Sequence, residues 1–230
     1  MRNLKYITIA LLAIFIASCG AVKNSNNQQR GTAIGAAGGT ILGLIIGNNV
    51  GDGDNQTEGA VIGAVVGGVA GNIIGRRMDK QAQEISQELP GAEVERVGEG
   101  IVVTFDEGSG VRFATNQATL NTSSKATLDK LTNIMTKYPG TEVLVAGHTD
   151  DQGAAEYNMD LSKRRAQSVV DYLATHNISR DRITMTYSGE ADPRSTNETP
   201  EGRAENRRVE IGIVAGEEMR EDARKEAEKQ

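Results

Sequence analysis

Leu144-Val145-Ala146-Gly147-His148-Thr149-Asp150 is a β-rich apolar run that breaks at a glycine and ends in polar side chains. It reads as a buried strand that delivers a loop to the surface, with a carboxylate at its end. The chain then continues through Tyr157-Asn158-Met159-Asp160-Leu161-Ser162-Lys163-Arg164-Arg165-Ala166 to Val169, Val170 and Leu173, apolar at helical spacing. Asp150 therefore stands beside the first turns of a helix that carries guanidinium groups. A third piece, Thr199 to Ile211, is an arginine-rich turn running into another strand.

Working outward, Ala92–Val97 and Ile101–Phe105 are strand-like runs around the hairpin signal Gly98-Glu99-Gly100. Thr122–Tyr138 has Leu128, Leu131, Met135 and Tyr138 on one face, with Thr122, Ser123 or Ser124 available as a cap, and stops at Pro139-Gly140. Glu142–Ala146, Ile183–Tyr187 and Val209–Val214 are further strands, and Ala154–His176 is the second helix. Strands separated by helices predict an α/β (α+β) two-layer sandwich, with helices on one face of a mixed sheet.

Gly147-His148-Thr149-Asp150, Tyr157-Asn158, Leu161-Ser162, Arg165-Ala166, Gly202-Arg203 and Asn206-Arg207-Arg208-Val209 together resemble the OmpA-like peptidoglycan-binding family, over roughly residues 101–214. The resemblance implies capture of diaminopimelate, whose free end carries an ammonium and a carboxylate on one carbon. Asp150 would accept hydrogen bonds from the ammonium and Arg165 would grip the carboxylate with its planar fork. Family likeness further implies that Thr115, Asn116 and Asn158 line the pocket, and that Arg208 assists from the last strand. A simple ion pair between Asp150 and Arg165 is the plainer alternative.

The N-terminus reads as a targeting segment. Arg2 and Lys5 precede the apolar run Tyr6–Ile16, which is too short to span a bilayer comfortably. Ile16-Ala17-Ser18-Cys19 resembles the lipobox of bacterial lipoproteins. That implies cleavage after residue 18, acylation of Cys19 and, with glycine at position 20, delivery to the outer membrane with the soluble domain in the periplasm. Cys19 is the single cysteine, so no internal disulfide can form. Cleavage removes two cations and takes the formal charge from −6 to −8. That acidity, with Glu201, Glu205 and Glu210 among Arg203, Arg207 and Arg208, argues against nucleic acid as a partner.

A polar tether (19–30) leads into glycines at 31, 35, 39, 43, 47 and 51, and again at 59, 63, 67, 71 and 75. Glycine costs about 1 kcal/mol in a helix relative to alanine, so the four-residue period asks for a compensating close contact between helices. Residues 31–77 are read as a glycine-zipper helical hairpin, its arms roughly 30 and 25 Å long at about 1.5 Å per residue. Residues 78–91 are read as a connector helix ending at Pro90-Gly91. Residues 92–214 form the wall-binding domain and 215–230 a charged tail, a frayed or solvent-exposed helix.

The expected activity is therefore binding, and the residues point to no enzyme, cofactor or metal. Neither His148 nor His176 stands in a cluster with metal-ligand spacing, and Ser162 is not on a strained strand-to-helix elbow. The competing reading makes the zipper the working part, inserting in a membrane or driving a homo-oligomer, with the domain localising it to the wall.

Overall fold

The computed structural model describes residues 68–105, 111, 113 and 116–229. The expected signal peptide, Cys19 and the expected tether, the glycine repeat up to residue 67, and Thr115 lie outside the described residues.

The expected mixed sheet is present. Its strands are β1 (Glu93–Val97), β2 (Gly100–Phe105), β3 (Thr141–His148), β4 (Ile183–Gly189) and β5 (Val209–Ala215), in spatial order β1-β2-β5-β3-β4. The β3–β4 pair is parallel and the other neighbours antiparallel. A parallel pair needs a crossover element, and the helix between these two strands supplies it. Alternation along each strand sorts the side chains. Ile101, Val103, Phe105, Val143, Val145, Val209, Ile211 and Ile213 face the helices in the main core. Val102, Leu144, Ala146 and Val214, with Val97, form a smaller buried cluster on the other face.

The helices are α1 (Gly68–Glu88), α2 (Thr122–Lys137), α3 (Ala155–Thr175), α4 (Pro200–Asn206) and α5 (Glu217–Ala227). α2 is capped by Asn121, not by the threonine or serines after it, since the Asn121 side-chain oxygen accepts from Ser124 N at 2.8 Å. At its other end the half-buried Arg182 donates Nε to Thr141 O (2.7 Å) and Nη2 to Tyr138 O (3.0 Å), satisfying carbonyls where the helix gives way to β3.

α1 corrects the domain boundary at residues 77/78. A single helix runs through it, and its buried face, Ile73, Ile74, Met78, Ala82 and Ile85, belongs to the domain core. Burying each of the large ones stabilises by about 1.5–3 kcal/mol. Polar contacts reinforce the seat: Asp79 with Arg96 of β1 (2.8 Å), Glu84 with the Tyr138 hydroxyl (2.9 Å) and Arg77 with Glu226 of α5 (2.8 Å). The last turns of the zipper repeat are thus part of the globular fold. Among the described residues no helix is long and apolar enough to cross a membrane.

A prediction follows for the repeat. Among the described residues a Cβ built on Gly75 meets nothing within 4 Å, so none of them makes a close approach that offsets its helix penalty. Gly75→Ala is expected to raise stability by about 0.5–1 kcal/mol, read as a higher urea midpoint; a lowered midpoint would show that this glycine is a contact after all.

The tail also departs from expectation. α5 is docked, not frayed, because Met219 and Ala223, four residues apart, are buried against the core. Two apolar positions one turn apart suffice once a partner helix, α1, lies alongside.

Candidate functional site

β3 ends beside β4 and β5, and the three ends are tied together. His148 N bonds Arg208 O at 3.0 Å, and Thr149 N bonds Gly189 O at 2.8 Å. Asp150 follows immediately, mostly buried. Its Oδ2 accepts from Arg207 Nη1 at 2.6 Å and its Oδ1 from Gln152 N at 3.2 Å. An ionised carboxylate has about four acceptor positions, so this one retains capacity for a further donor.

α3 presents Asn158, Leu161 and Arg165 in succession on its buried face, at offsets of three and four that place them on one stripe. Asn158 Nδ2 reaches the Asp150 carbonyl (3.3 Å) and Glu190 Oε2 (2.6 Å), fixing the loop to the helix start. Arg165 is only 4% exposed. Its Nε donates to Gln117 O at 3.1 Å, and its guanidinium carbon lies 5.3 Å from the centre of the Phe113 ring. Packing of that kind holds a long side chain in one pose. Asn116 takes φ 58°, a left-handed conformation that asparagine tolerates better than most residues.

These elements surround a cavity of about 320 Å³. Asn116, Asp150, Asn158 and Arg165 all line it, so four of the sequence-derived candidates come together on one space although they belong to three chain segments. Thr115 lies outside the described residues. Val111, Phe113 and Leu161 give the cavity an apolar wall.

Arg208 is a correction: it is not part of the lining. It immediately precedes β5, with its side chain on the sheet face away from the helices, where Nε pairs with Glu210 Oε1 at 2.7 Å and Nη1 donates to Asp192 O at 3.2 Å. Strand alternation gives the cavity to its neighbour Arg207. Arg203, one turn before Arg207, lines the same space. Their four-residue separation was the available signal for a shared face. The short helix α4 that carries Arg203 is set by the Thr199 cap, whose Oγ1 accepts from Gly202 N (3.1 Å). Asn206 anchors its end: its Oδ1 accepts from Arg194 N and Ser195 N, both at 2.8 Å, while its Nδ2 donates to Ser195 O at 2.9 Å and Asn197 Oδ1 at 2.8 Å.

Behind Arg208 sits His148, fully buried, with Nδ1 3.7 Å from Asp192 Oδ2 and Nε2 4.0 Å from Glu210 Oε2. Burial first, then Arg208, push its pKa down to about 3, against the opposing pull of Glu210, so the ring is neutral. Burial pushes the Asp192 carboxyl up, with Arg208 opposing. For Glu210 burial acts upward too, but the charge and the hydrogen bond of Arg208 outweigh it and hold the carboxyl below its usual range. Among the described residues no three His, Cys, Asp or Glu side chains are grouped to hold a metal ion.

Comparison with known proteins gives two family matches. The OmpA family profile matches residues 112–207, and a profile described as YMGG-like Gly-zipper matches residues 1–79. The chain is 38% identical over 123 residues to "Probable lipoprotein YiaD" of Escherichia coli, covering 54% of this chain and 55% of that protein. It is 36% identical over 106 residues to "Peptidoglycan-binding protein ArfA" of Mycobacterium tuberculosis, covering 46% and 32%. The chain thus spans about half, or less, of the length of these relatives. Among solved structures, the cell wall anchor of the T6SS from Pseudomonas aeruginosa matches at 31% identity and TM-score 0.52, over 60% of this chain and 97% of that one. A MotB-like protein of Desulfovibrio vulgaris matches at 23% identity and TM-score 0.57, over 63% and 94%, a likeness of fold.

Proposed function

Because this chain belongs to the OmpA family through residues 112–207, we propose that it holds a bacterial outer membrane to the cell wall by noncovalent binding of diaminopimelate-containing peptidoglycan. Cys19, acylated after signal-peptide removal, is the lipid anchor, and the domain works in the periplasm. The names of two relatives, a peptidoglycan-binding protein and a cell wall anchor, support the first part, and the name of a third, a lipoprotein, supports the second.

The observation that carries this reading is that Asp150 and Arg165 line a single cavity from a strand end and a helix. An ammonium donates to the free lone pairs of Asp150, and the carboxylate on the same carbon is gripped by Arg165, whose pose is set beforehand by Phe113 and the Gln117 carbonyl. Preset geometry lowers the entropy lost on binding. Asn116 and Asn158 supply neutral hydrogen-bonding groups at the edges.

Pull-down on purified sacculi tests the reading. Asp150→Ala and Arg165→Ala are each expected to weaken retention on the order of 30-fold or more, since removing one member of a desolvated charge pair costs about 2–5 kcal/mol. Retention of both variants at the wild-type level would remove the site.

A further inference from the structure

Arg203 is placed like a ligand-binding group, and a single hydrogen bond engages its side chain within the fold. It lines the cavity beside Arg207, yet its guanidinium makes one hydrogen bond, Nη1 to the Asn197 carbonyl at 2.8 Å, and among the described residues it pairs with no carboxylate. Other arginines around this end of the sheet differ: Arg207 is paired with Asp150, Arg208 with Glu210 and Arg194 with Glu93. Arg203 is also held in place. α4 is capped by Thr199 and anchored by Asn206, and Gly202 lies so close to the Thr196 carbonyl that a Cβ would approach it to 2.1 Å. A half-exposed guanidinium, fixed at a cavity wall with donors to spare, matches a carboxylate.

The zwitterion read by Asp150 and Arg165 uses one carboxylate. We infer that Arg203 recognises a second carboxylate of the same stem peptide, so that the site discriminates by the charge state of the peptide around the diaminopimelate. This rests on the wall-binding reading above. Two carboxylates of a stem peptide are candidates by chemistry: the α-carboxylate of the γ-linked D-glutamate, and the carboxylate at the peptide's C-terminus.

The test is equilibrium binding of synthetic peptides to the full chain. The reference is L-Ala-γ-D-Glu-meso-diaminopimelate, compared with one analogue carrying D-isoglutamine and one with the C-terminal carboxylate amidated, the zwitterionic centre being kept in all three. One of the two amidations is expected to weaken wild-type binding about tenfold, the size of a lost charge-assisted hydrogen bond, and so identifies the carboxylate. Arg203→Gln is expected to bind the reference about as weakly as wild type binds that analogue, and to show no preference between the two. Arg203→Lys, which keeps the charge without the fork, should retain part of the preference. Equal wild-type affinity for all three peptides overturns the inference and leaves the wall-binding reading standing, as does an Arg203→Gln variant that weakens all three by one factor. Failure of the wild-type chain to bind any of them overturns both.

Discussion

Arg208→Met is expected to lower stability by about 3–5 kcal/mol, the usual cost of leaving a buried charge without its partner. The Arg208 side chain is the link between two carboxylates on the sheet face away from the helices: Nε holds Glu210 at 2.7 Å and Nη2 lies 3.7 Å from Asp192. Glu210 is only 4% exposed, so water cannot take over. In urea the midpoint should fall by about 2 M at an unchanged slope. Replacing both members of the closer pair, Arg208→Met with Glu210→Leu, should recover part of the loss, because the Glu210 charge is then gone while that of Asp192 remains. The same group makes the fold acid-sensitive. In the unfolded chain His148 takes a proton near its ordinary 6.5, but in the fold only near 3. Its contribution is therefore present above about pH 6.5 and is lost progressively as pH falls towards 3. Loss of wall binding by Arg208→Met at an unchanged urea midpoint would return this residue to the cavity and contradict the assignment.

The choice between Arg207 and Arg208 shows where sequence reading stops. Both stand in the block that carries the family resemblance, and the side-chain period of a strand is two, so shifting the start of β5 by one residue exchanges their faces. Apolar alternation and helical spacing gave the sheet and the two long helices, and with them the places of Asp150 at a strand end and Arg165 on a helix. The binding roles expected of these two residues came from the resemblance carried by the surrounding blocks. The zipper boundary was not. Ile73, Ile74, Met78, Ala82 and Ile85 continue one helical stripe across residue 77, but the glycine period before it dominated the composition and suggested a separate element. The glycine period does not say which glycines touch anything. For the tail, Met219 and Ala223 looked too few to dock a helix until α1 was known to lie beside them.

Gly147→Ala is expected to have the opposite effect to Gly75→Ala, although both add one methyl group. A Cβ on Gly147 would come within 2.2 Å of the Ser162 carbonyl oxygen and 3.3 Å of the Ala166 Cβ. The obstacle is the backbone of α3, which has nowhere to retreat, because the Ser162 hydroxyl accepts from Gly189 N at 3.0 Å and so ties the helix to β4. The methyl must push β3 and α3 apart, at a cost of about 1–3 kcal/mol or more for an overpacked contact. The functional loss should exceed the loss of stability. Asp150 hangs from the end of β3 and Arg165 projects from α3, so separating the two elements widens the distance between the groups read here as the anion and cation binders. Losing one hydrogen bond to a charged group costs about 1.5–3 kcal/mol, on the order of 10- to 100-fold in affinity. Sacculus binding should therefore collapse at temperatures where the variant's circular dichroism is still that of the folded domain. Wild-type binding by Gly147→Ala would mean that the spacing of strand and helix does not set the site.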